Sequence, residues 1–112
     1  MIDAQTVNDL VFQYEKHGWK LERVLLTSDL FIKLDLAEKY GSAVVHLSKI
    51  DAVWFSRPNG DKMSWEIRRL ASSPFALVRF VPAGASTSEC EAILQSAETE
   101  IANSLAARPT EH

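Results

Sequence analysis

The chain has 112 residues, 46% of them apolar and 24% charged, with a net charge of −3. That length supports one hydrophobic core and not two, and the usage is that of an ordinary globular domain. The lone Cys90 excludes an internal disulfide, no apolar run approaches the ~20 residues of a membrane span, and the acidic balance speaks against a nucleic-acid module.

The N-terminus, Met-Ile-Asp-Ala-Gln, has neither a basic n-region nor an apolar h-region, so no signal peptide is expected. With one free cysteine, this makes a cytoplasmic location the expectation. Asp3 to His17 reads as an amphipathic helix. Val7, Leu10, Val11 and Tyr14 form one stripe, Asp3 or Thr6 caps its start, and Gly18 stops it.

Trp19 to Thr27 reads as a strand with imperfect alternation: Leu21 and Leu25 share a side, while Val24 and Leu26 disturb the pattern. Residues 28–40 fit two descriptions. Leu30, Ile32, Leu34 and Leu36 alternate as in a strand. Ser28 as a cap, Leu30, Leu34 and Ala37 at helical spacing, and Gly41 as a stop favour a helix. Ala43 to Leu47 is a short edge strand or an irregular approach to the run that begins at Ala52.

Ala52 to Pro82 organises the chain as a three-stranded antiparallel meander. Asn59-Gly60, between two aromatic-rich runs, is a strong hairpin signal because both residues tolerate positive φ. Taken as the two loop residues, they set Trp54 opposite Trp65 and Ala52 opposite Ile67. A four-residue loop over Ala71–Pro74 then sets Trp65 opposite Phe80 and Ile67 opposite Val78. Trp54, Trp65 and Phe80 thus form the expected core row. The other face is expected to carry Val53, Phe55, Leu77 and Val81 together with Arg57, Arg68 and Arg79.

After Pro82 a loop leads to capping-box pairs, Ser86 with Glu89 or Ser88 with Glu91. A helix runs from about Ser88 to Ala106, with Cys90, Ile93, Leu94, Ala97, Ile101 and Leu105 in its stripe. The expectation is one α+β domain over residues 1–112, a two-layer sandwich. It comprises an N-terminal helix, an antiparallel sheet of four to five strands ending in the meander, and a C-terminal helix. Both helices cover the Trp54 face, and residues 108–112 form a frayed tail.

No phosphate loop, dinucleotide fingerprint, paired-cysteine motif or nucleophile elbow occurs. His17, His46 and His112 are too scattered for a metal, and Cys90 lies in phase with the core stripe. No cofactor and no catalytic residue is expected. Charge is uneven: residues 1–48 hold five basic and seven acidic groups, 49–82 six and three, and 83–112 one and five. The meander is therefore the basic part.

The leading expectation is a non-catalytic binding or adaptor module that self-associates, as a homodimer, through Val53, Phe55, Leu77 and Val81. An apolar sheet face with no helix left to cover it would need a partner. The alternative is a regulatory domain taking a small anion on Arg57, Arg68 and Arg79, since guanidinium forks suit carboxylates and phosphates.

Overall fold

The computed structural model describes residues 3–34, 39–40, 43–71 and 75–107. The elements in order are α1 (Ala4–Lys16), β1 (Lys20–Leu26), α2 (Ser28–Leu34), β2 (Lys39–Tyr40), β3 (Ala43–Leu47), β4 (Ala52–Asn59), β5 (Lys62–Arg69), β6 (Ala76–Pro82) and α3 (Thr87–Ala107). The strands form one sheet in the order β2-β3-β1-β4-β5-β6, with the two-residue β2 at one edge. The tail expected over residues 108–112 lies outside the described residues, as do residues 35–38 of the ambiguous stretch.

The α+β layout of helix, sheet with a C-terminal meander, and helix is as expected. The sheet is mixed rather than wholly antiparallel, because β1 and β3 run parallel. Such a pairing needs a crossover, and the stretch that fitted both helix and strand supplies it, with α2 first and β2 after it.

The helices do not share a face. Val7 and Val11 of α1 pack with Leu21, Val24, Val53 and Phe55, joined by Leu34 of α2. Leu94, Ala97 and Ile101 of α3 pack on the other side, with Leu25, Ala52, Trp54 and Ile67. The expected two layers are therefore three. The cause is β4, whose Ala52-Val53-Trp54-Phe55-Ser56 run is buried at every position, so both its faces need a cover.

The broken alternation of β1 also has a structural cause. Leu21 pairs with Phe55, but Arg23 pairs with Trp54, so a bulge at Glu22 intervenes. The extra residue switches the phase. Leu21, Val24 and Leu26 face α1, while Leu25 faces α3.

The meander registers differ from expectation in two instructive ways. Asn59 pairs with Lys62, so the turn residues are Gly60 and Asp61, with Gly60 at φ 65°. Trp54 then pairs with Ile67 and Ser56 with Trp65. This slip moves each partner by two and leaves the faces unchanged. At the second turn the Arg69 N–H donates to the Phe75 carbonyl at 2.9 Å, so Trp65 pairs with Arg79 and Ile67 with Leu77. That slip is one residue, and it turns every β6 side chain to the opposite face. Phe80, expected in the core row, is 53% exposed on the α1 side.

Capping agrees closely with the sequence. The Asp3 carboxylate accepts from the Thr6 N–H at 2.8 Å, and that bond holds its pKa below the ordinary value. Ser86 and Glu89 form a reciprocal capping box, with N–H to carboxylate at 2.9 Å and N–H to hydroxyl at 3.1 Å. At the end of α1, Gly18 takes φ 86° and donates to the Glu15 carbonyl, and Trp19 donates to the Tyr14 carbonyl. This is a Schellman cap. A Cβ at Gly18 would meet Arg57 at an ordinary 3.6 Å, so the obstacle there is the backbone conformation. Gly18→Ala is expected to lower stability by about 1 kcal/mol, measured by urea unfolding.

Candidate functional site

The Schellman cap builds a hollow on the α1 side. It brings the third-last residue of the helix against the residue that follows Gly18, here Tyr14 and Trp19, whose rings meet edge-to-face at 6.0 Å. Tyr14 also stacks on buried Phe55, with centroids 3.9 Å apart and planes 8° off parallel. The His17 carbonyl at the helix end has no helical partner, and it accepts from Arg57 Nη1 at 3.0 Å. The Arg57 guanidinium lies over the Trp19 ring, 4.6 Å from its centroid. The open cleft so framed has a volume of about 420 Å³ and is lined by Gln13, Tyr14, His17, Trp19, Arg57 and Glu66.

Glu66 forms the β5 wall, and its carboxylate accepts from the Tyr14 hydroxyl. Burial, then this hydrogen bond, push the Tyr14 phenol up to about 12, with Arg68 acting in the opposite sense. The folded pKa exceeds the unfolded one, so this stabilisation is complete below pH ~10 and is lost as the pH rises towards ~12. A fully shielded two-unit separation would be worth about 2.7 kcal/mol; solvent screening of the half-buried ring reduces the expected loss to on the order of 1 kcal/mol. Denaturant unfolding at about pH 9 and about pH 11.5 should show the wild type losing that much more than Tyr14→Phe.

The arginines expected to act together are separated. Arg57 and Arg68 are on the α1 side, where Arg57 is held by His17 and Trp19, and Arg68 bears on Tyr14. Arg79 is on the α3 side, 2.5 Å from Glu100. The one-residue slip at the second turn is the cause. The three-arginine anion site is thus not assembled.

The expected interface is also dispersed. Val53 and Phe55 are fully buried under α1, whereas Val81 is buried, and Leu77 partly so, on the α3 side. None of Val53, Phe55 and Val81 is available to a partner. Among the described residues, the exposed large hydrophobic side chains of the meander are Val78 and Phe80. They stand beside Glu66 and Ser64 on the half of the sheet that α1 leaves open.

A smaller hollow of about 270 Å³ lies at the start of α3 and is lined by Trp65, Val81, Ser86 and Cys90 among others. The Trp65 Nε1–H there is buried without a hydrogen-bond partner among the described residues. Burial, and then Glu91, push the Cys90 thiol up, which keeps it protonated and poorly nucleophilic at neutral pH. Among the described residues, no three His, Cys, Asp or Glu side chains converge as metal ligands, and no helix is long and apolar enough to cross a membrane.

No protein-family model matches this chain, and neither a curated protein nor a solved structure matches it.

Proposed function

We propose that the protein is a non-catalytic binding module that self-associates as a two-fold dimer through β6. The observation that carries this reading is the pair Val78 and Phe80, 41% and 53% exposed on a seven-residue edge strand. Phe75 and Ala83 make their backbone bonds towards β5 and the turn. Strict alternation then directs the backbone groups of Leu77, Arg79 and Val81 inward, and those of Ala76, Val78 and Phe80 outward.

A seven-residue edge strand that exposes apolar side chains is a template for another strand. A second copy fits it by symmetry. Antiparallel pairing centred on Arg79 sets Val78 opposite Phe80 of the partner subunit, and Phe80 opposite Val78 of the partner subunit. One apolar patch results on the α1 side. Arg79 would face its own symmetry mate on the α3 side, and the carboxylate of Glu100 offsets that repulsion.

Light scattering over a concentration series tests the proposal. A dimer is expected for the wild type and a monomer that still unfolds cooperatively for Phe80→Glu. A wild type that stays monomeric throughout, or a Phe80→Glu variant that stays dimeric, overturns it.

A further inference from the structure

Arg57 and Glu66 carry opposite charges at diagonal positions of adjacent strands. Arg57 pairs with Ser64 and Glu66 with Phe55, both on the α1 side. Diagonal neighbours have Cβ atoms about 7–8 Å apart, within reach of two long side chains. Such groups ordinarily close on one another. Here they do not: the ion pairs among the described residues are Arg23–Glu91 and Arg79–Glu100. Arg57 is drawn towards α1 by the His17 carbonyl and the Trp19 ring, and Glu66 by the Tyr14 hydroxyl. Each charge is anchored elsewhere, and both side chains line the cleft of about 420 Å³.

We infer that this cleft binds a small zwitterion of the amino-acid type, with its carboxylate on Arg57 and its ammonium on Glu66. The donor and acceptor inventory permits both contacts. A guanidinium has five N–H donors and one is committed to His17; a carboxylate has two oxygens and Oε2 is committed to Tyr14. The two walls also discriminate. A simple anion meets the repulsion of Glu66, and a simple cation meets that of Arg57 and of Arg68 beside Tyr14, whereas a zwitterion satisfies both walls. Tyr14 and Trp19 supply aromatic surface for an apolar side chain. The site is independent of association through β6, since its charges stand on β4 and β5, inside the sheet.

Three related probes test the inference: L-phenylalanine, its amide, which is a cation, and its N-acetyl derivative, which is an anion. Each is titrated into the full chain while the backbone amides of Gly18 and Trp19 and the Trp19 indole N–H are followed by NMR. Saturable shifts with L-phenylalanine are expected, with a Kd on the order of 1 mM for so open a cleft. The two singly charged probes should bind at least about tenfold more weakly, each lacking one charge-assisted contact. In Glu66→Gln the N-acetyl compound should rise to match L-phenylalanine. Unmoved signals with L-phenylalanine, equal responses to all three probes, or preference for the anion in the wild type would each overturn the inference.

Discussion

Phe55→Ala is expected to cost about 3–5 kcal/mol and to lower the thermal midpoint by about 10 °C or more, a far larger loss than Phe80→Ala produces. Phe55 is fully buried, with its ring stacked on Tyr14 and the Val7–Val11 stripe of α1 packed in the same cluster. Its removal leaves a cavity beneath α1, whose C-terminal end is tied to β4 by the bond from Arg57 to the His17 carbonyl. Phe80 makes no such contribution, because half of its surface already meets water. Thermal unfolding of the two variants, followed by circular dichroism, checks the ranking. The register expected from the turns alone would reverse it, with Phe80 in the core and Phe55 on the open face. An equal or larger loss at Phe80 would therefore contradict the β5–β6 register and the burial of Phe55 under α1.

The contrast shows which parts of the fold were legible. Caps and helix stripes are local, and they read correctly from Asp3, Gly18, Ser86 and Glu89. The meander was legible as three strands, but its faces depended on counting loop residues. At the Asn59-Gly60 turn the count was out by two in pairing, which is harmless to the faces because side chains alternate with a period of two. At the second turn it was out by one, because Arg69 rather than Leu70 faces Phe75. That single residue moved Arg79 away from Arg57 and Arg68, and brought Phe80 into solvent. No local signal in Ala71-Ser72-Ser73-Pro74 distinguishes a four-residue from a five-residue loop.

Two other features left a trace that was open to a different reading. The disturbed alternation of Leu21, Val24, Leu25 and Leu26 is what a bulge produces. Trp54 and Phe55, adjacent and both apolar, called for cover on both faces of β4. The cleft itself was half legible. Tyr14 and Trp19 flank Gly18 at Schellman spacing, so their contact is a consequence of the cap. The bond from Arg57 to the His17 carbonyl spans 40 residues, and that from Tyr14 to Glu66 spans 52. Both depend on how α1 crosses the sheet, which periodicity does not contain.

Trp54→Ala is the counterpart of Phe55→Ala on the opposite side, with an expected cost again of about 3–5 kcal/mol. Trp54 is fully buried among Leu94, Ala97, Ile101 and Ile67, and it meets Trp65 edge-to-face at 6.1 Å. It also donates its Nε1–H to Glu98 of α3 at 2.7 Å. Trp54→Phe separates the two contributions. It keeps most of the ring volume and removes the donor, and a bond to a charged acceptor is worth about 1.5–3 kcal/mol. That smaller perturbation also tests the three-layer arrangement. Amide hydrogen exchange in Trp54→Phe should accelerate at Leu94, Ala97 and Ile101 of α3, while Val7 and Val11 of α1 keep their protection, because the two helices dock on opposite faces of β4. Equal acceleration in both helices would mean that the two layers open only together. β4, apolar on both sides, would then be the element whose burial makes the whole domain cooperative.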